Sequence, residues 1–146
     1  APTEIIFYQN NFLPVFRNDI LCAKKEILIV SPFLRKRRTA QMIEDLMPAV
    51  AKKVSVSVIT RPSTDFTHPN QAPFRNALDL FDGTSIKVVH RSNIHQRFAI
   101  MDRKIVWYGS VNLLSFGNAQ ESLMRIESAN IARELEKTID RPNLSQ

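Results

Sequence analysis

The sequence predicts a mixed α/β domain, a mostly parallel sheet flanked by helices. Short β-branched runs alternate with stretches of helical spacing over residues 11–89, which is the pattern of strands joined by crossover helices. Beyond residue 90 several strand-like runs follow one another around a hairpin signal, which adds an antiparallel component and allows two or three layers. Of the 146 residues 44% are hydrophobic and 23% charged, enough apolar material for one core and one domain spanning 1–146.

The elements follow in order. After the apolar opening Ile5-Ile6-Phe7-Tyr8, the three-to-four spacing of Phe12, Phe16, Ile20 and Ala23 predicts a helix over 11–24. Pro14 suits its first turn, and Cys22, the single cysteine, reads as a core residue. Residues 26–31 form a β-branched run stopped by Pro32, as a buried strand would be. Met42, Ile43, Leu46, Met47 and Val50 share one face of a helix over 39–51, and the alternation over 54–59 predicts the next strand, ended by Arg61-Pro62. Residues 63–73 have no period and read as a loop; 74–81 read as a helix stopped by Asp82-Gly83 before a strand over 86–89. Two strands, 96–101 and 104–108, meet at the hairpin signal Asp102-Arg103. A short strand over 123–126 precedes an amphipathic helix over 128–139, with Ile131, Leu135 and Ile139 on one face.

Composition excludes several functions. Glycines stand only at 83, 109 and 117, at spacings that fit no nucleotide-binding glycine loop and no nucleophile elbow. One cysteine and no C-x-x-C or H-E-x-x-H pattern argue against a disulfide scaffold or a familiar zinc site, and no metal or other cofactor is expected. A net charge of +6 and a pI near 9.8 favour an anionic partner, nucleic acid or a phospholipid surface. No apolar run approaches the ~18 residues of a membrane span, and the first residues lack the order of a signal peptide, so a cytoplasmic protein is expected. The chain starts at Ala1 without a methionine and ends in a polar stretch over 141–146, and processing or excision from a longer protein is the expected origin of that start.

The chemistry concentrates in His95-Gln96-Arg97-Phe98-Ala99-Ile100-Met101-Asp102 and, six residues on, Gly109-Ser110-Val111-Asn112. On a strand, His95 and Arg97 project from one face while Phe98 and Ile100 take the other and enter the core. An imidazole beside a permanent cation suits a phosphate: the imidazole attacks phosphorus or moves a proton, and the guanidinium holds the non-bridging oxygens. Asp102, an odd seven residues from His95, falls on the opposite face and reads as a structural group that caps the hairpin or pairs with backbone or a cation. Gly109 permits close backbone approach, and Ser110 and Asn112 offer a hydroxyl and an amide to the same anion.

This block resembles the phospholipase D-like, or HKD, phosphodiesterases, whose signature is H-x-K-x4-D, six residues, then G-S-x-N. Every spacing matches. The strand running from Ala23-Lys24-Lys25-Glu26 into Ser31-Pro32-Phe33 and the later acid Glu121 also look like the family. The stretch from Trp107 to Phe116 is similar to phospholipase D-like domains attached to bacterial helicases or nucleases, so a fused or associated helicase is a conceivable partner. The resemblance implies the phospholipase D-like fold and a site built from His95, Arg97, Asp102, Ser110, Asn112 and Glu121, the last orienting the histidine. The departure is Arg97, where the pattern has lysine. A planar fork displaces a bound phosphate relative to a point charge, and three explanations stay open: a working variant, a decayed binding domain, or a disabling substitution.

The family mechanism, as the resemblance implies it, uses two histidines, one to attack phosphorus and one to protonate the leaving oxygen. This chain has one motif; His68 and His90 lie in no matching context. A symmetric homodimer sharing one site repairs the shortage. The cluster Arg35-Lys36-Arg37-Arg38, just past the first predicted strand, is placed to guide a polyanion, with DNA preferred over RNA and no membrane partner expected. Phe33 and Phe116 suit stacking platforms or core, and core is the expectation. Three functions remain: a metal-independent endonuclease, a non-catalytic nucleic-acid-binding module, and a phospholipid hydrolase or transferase.

Overall fold

The structure, a computed structural model, describes residues 4–140, so the chain ends discussed above lie outside it. Seven strands, β1 (Ile6–Tyr8), β2 (Glu26–Val30), β3 (Ser55–Thr60), β4 (Lys87–His90), β5 (Phe98–Met101), β6 (Ile105–Gly109) and β7 (Ser122–Glu127), form one sheet in the order β1-β7-β6-β5-β2-β3-β4. Four helices accompany it: α1 (Leu13–Cys22), α2 (Lys36–Ala51), α3 (Gln71–Leu78) and α4 (Ala129–Asp140). The mixed α/β class holds. Within it only β2–β3 and β3–β4 pair in parallel, and the other four neighbouring pairs are antiparallel, so the sheet is less parallel than expected. The cause is the hairpin-built second half, together with β1, an edge strand of three residues too short to show a period.

Strand alternation separates two cores. Ile27, Ile29, Val56, Val58, Ala99, Met101 and Trp107 pack with the buried faces of α1, α2 and α3. The intervening residues Val30, Ile59, Phe98, Ile100 and Val106 pack with Ala132 and Leu135 of α4. Three layers result, and the central strands are apolar on both faces. The α1 face bears Phe16, Asp19 and Ile20, which leaves Cys22 exposed; the expectation of a core cysteine is corrected, because position 22 falls off that stripe. α2 begins three residues earlier than its apolar period suggests. The cations of its first turn oppose the helix dipole, and the start is fixed instead by contacts outside the helix, through Arg35 N–H and Thr39 Oγ1–H donating to the Leu114 carbonyl at 2.9 and 3.1 Å. The helix expected over 74–81 lies at 71–78 and continues as a 3-10 turn over Asp79–Phe81, and a further 3-10 turn at Ser63–Asp65 sits in the expected loop.

One buried polar group went unforeseen. Asp19 accepts from the Arg125 guanidinium at 2.7 and 2.9 Å and from Trp107 Nε1–H at 2.8 Å, joining α1 to β6 and β7 inside the main core. Buried charge is tolerated because each is paired.

Candidate active site

β5 runs antiparallel to β2, with Phe98 opposite Val30, and antiparallel to β6, with Phe98 opposite Tyr108. The residues before β5 therefore lie beyond the C-terminal ends of β2 and β6. His95 and Arg97 occupy that extended lead-in, since the strand predicted from 96 begins only at Phe98. The Gly109 N–H donates to the Arg97 carbonyl at 3.4 Å, which sets the G-S-x-N segment against the motif cation. A Cβ on Gly109 would fall 2.8 Å from Leu123 Cα and against the Ser122 carbonyl, so the close approach that demands glycine is to the backbone of β7.

The loop after β6 is anchored by its alternate residues, as Val111, Leu113 and Leu114 are fully buried and Asn112 is left on the intermediate surface. Leu114 N–H donates to Ser31 Oγ at 3.3 Å, and Ser31 Oγ–H donates to the Phe33 carbonyl at 2.9 Å, tying this loop to the segment after β2. Ser110 is exposed; its oxygen accepts from Ser122 N–H at 3.2 Å, leaving its proton to donate elsewhere. Glu121 is held through its backbone, donating to Gln9 Oε1 at 3.0 Å, and it borders the same cavity as Asn112 and Arg35.

Two motif atoms are buried without a hydrogen-bond partner among the described residues, Arg97 Nε and Asn112 Oδ1, and Thr60 Oγ1 at the end of β3 is a third. A donor and two acceptor-capable groups shielded from water cost free energy unless something binds there, and an anion that accepts from Arg97 is one such ligand. His95 is exposed.

Asp102 does not join them. It turns the β5–β6 hairpin with φ of 53°, and Arg103 follows at 58°. The four residues of β5, at ~3.3 Å each, separate it from Arg97. Its carboxylate accepts from the backbone N–H groups of Lys24, Lys25 and Glu26 at 2.7–3.2 Å. Partial burial pushes its pKa up, but those bonds and the charge of Lys104 prevail and hold it below the ordinary carboxylate value. Asp102 clamps the hairpin to the start of β2, the structural part that its odd spacing from His95 predicts, and stands apart from the other motif residues with which the resemblance groups it.

The basic cluster is divided. Arg35, Lys36 and Arg37 are exposed, whereas Arg38 donates to the Phe116 carbonyl at 3.0 Å and to Gln41 Oε1 at 3.1 Å and lies 3.8 Å over the Phe116 ring. Burial first, then the charges of Arg37 and Arg17, lower its pKa. Phe116 is core; Phe33, also expected in the core, is 37% exposed. His68 and His90 are exposed, with His90 Nδ1 at 3.2 Å from the Arg61 carbonyl. Among the described residues no three or more His, Cys, Asp or Glu cluster as a metal site, and no helix is long and apolar enough to cross a membrane.

The family model described as cardiolipin synthase, PLD-like domain, matches residues 16–142. No match is found among curated protein sequences. Among solved structures the chain is similar to Nuc from Salmonella typhimurium, described as a phospholipase D family member, at 16% identity and TM-score 0.73, covering 91% of this chain and 88% of that one. It is similar to NucT from Helicobacter pylori at 19% identity and TM-score 0.66, with 91% and 90% covered. An archaeal chromatin protein described as showing a novel mode of DNA binding shares the fold at TM-score 0.61 and 13% identity, over 96% of this chain and 52% of its own.

Proposed function

Because the chain belongs to the phospholipase D-like phosphodiesterase superfamily, we propose that it cleaves nucleic-acid phosphodiesters without a metal, through a phosphohistidine on His95. The observation that carries this reading is the buried, unpartnered Arg97 Nε–H, a charged donor suited to an anion, beside the G-S-x-N segment that the Gly109 N–H ties to the Arg97 carbonyl. Arg97 holds a non-bridging oxygen; the His95 imidazole attacks phosphorus and the P–O bond to one alkoxide breaks. A second imidazole donates the proton that the alkoxide needs, then takes one from the water that hydrolyses the P–N bond. One motif histidine per chain makes that second imidazole the His95 of another copy, so the active form is a two-fold homodimer. Arg35, Lys36 and Arg37 draw in the polyanion, while Arg38 serves the fold. The test is cleavage of DNA in excess chelator by the parent and by His95→Ala: parent activity lost in the variant supports the reading, and a requirement for divalent ion contradicts it.

The family's description keeps phospholipid diesters as a second reading. Hydrolysis of anionic phospholipid vesicles with DNA left intact would select it.

A further inference from the structure

A cavity of about 460 Å³ opens beside the motif, beyond the C-terminal ends of β2 and β3, where ligands gather in open α/β sheets. Its size is that of small-ligand sites, roughly 300–1,000 Å³. One wall is aromatic. Phe66 stacks on Phe74 with centroids 4.3 Å apart and meets Phe33 edge-on at 5.8 Å. Phe74 is 3% exposed and Phe33 37%, so two rings back a third that faces solvent. The platform is prebuilt: the Arg61 guanidinium sits 5.5 Å from the Phe66 centroid and 6.0 Å from that of Phe33, fixed by its ion pair with Asp65 at 3.0 Å. Asn112 and Glu121 from the motif region, and Arg35, also line the cavity.

We infer that this cavity is a subsite for one unpaired nucleobase, stacked on Phe33, next to the phosphodiester held by the motif. The inference rests on the nucleic-acid reading above and names the substrate class within it, single strands. A planar base takes the ring face, Asn70 and Ser115 in the lining offer hydrogen bonds to its edge, and Arg35 meets a neighbouring phosphate. An acyl chain has no use for the polar half of such a lining. A base in a duplex reaches a pocket only by leaving its pair and its stack, so the site discriminates against double strands.

The experiment is binding on the His95→Ala background, where no strand is cut, with a single-stranded oligodeoxynucleotide carrying 2-aminopurine, the same sequence as a duplex, and a fully abasic strand of equal length. Phe33→Ala is expected to weaken single-strand binding roughly 5- to 100-fold and to abolish 2-aminopurine quenching, with duplex and abasic binding unchanged. Phe33→Tyr keeps both signals, which separates loss of the ring face from loss of fold. If Phe33→Ala binds the single strand as its parent does, or the abasic strand binds as tightly as the normal one, the subsite is overturned while the phosphodiesterase reading stands. If neither strand binds but anionic phospholipid vesicles do, both fall.

Discussion

Arg97 presents a planar fork where the family pattern has an ammonium, and in the proposed reaction a phosphate held by the fork would sit farther from the Cα of residue 97. Misplacement on the order of 1 Å can cost ~100-fold in rate. Arg97→Lys is therefore expected to raise diester turnover by about that factor, and Arg97→Ala to remove it; a lysine variant slower than the parent shows that arginine is the working group. Asp102 answers to stability. Removing a carboxylate that accepts from the backbone N–H groups of Lys24, Lys25 and Glu26 hands these largely exposed donors to water, and Asp102→Ala is expected to cost about 1–2 kcal/mol in urea unfolding. Its pKa is lowered on folding, so its contribution is full above the ordinary carboxylate range near 4 and is lost as pH falls through the folded value. The variant should show a shallower acid limb than the parent; an identical limb contradicts the clamp.

At the level of elements, β6 and β7 are fastened twice. Gly109 lets their backbones close up, and Gly109→Ala forces a methyl against Ser122 and Leu123 main chain that has no room to move, an overpacking cost of about 1–3 kcal/mol in the same unfolding measurement. Arg125→Met strands Asp19 in the core and is expected to lose about 3–5 kcal/mol, whereas the double change Asp19→Leu with Arg125→Met should recover part of it, the Trp107 Nε1–H then being left without its acceptor. The helices and central strands were legible in the sequence because their apolar period is long enough to count. β1 was not, having three residues, and neither was the early start of α2, which contacts with the 112–116 loop impose against the preference of its basic first turn. The Asp19–Arg125 pair gave one faint signal, an acid on the apolar face of α1, but an ion pair between residues 106 apart has no local signature.

Across the whole molecule, the motif's spacing marked the candidate residues, and the fold explains why two groups of them lie at one edge: antiparallel β5 and β6 deliver residues 95–97 and 109–112 to where β2 and β3 end. Asp102 belongs to the same motif yet lies at the far end of β5, a separation that spacing hints at and only the hairpin establishes. The cavity beside the motif was not legible, since its walls come from three segments distant in sequence. One motif per chain predicts a homodimer of twice the 16.7 kDa chain mass by sedimentation at micromolar concentration; a monomer there contradicts the shared site. The most direct test of the central claim is to quench DNA turnover in alkali, with chelator present, and to weigh the peptide containing His95. The account predicts a nucleotidyl adduct on His95 of the parent protein, the phosphorus still esterified to one cleaved strand, and none in His95→Ala, which is inactive. An unmodified His95 during turnover, with His95→Ala cutting DNA at the parent rate, would contradict it.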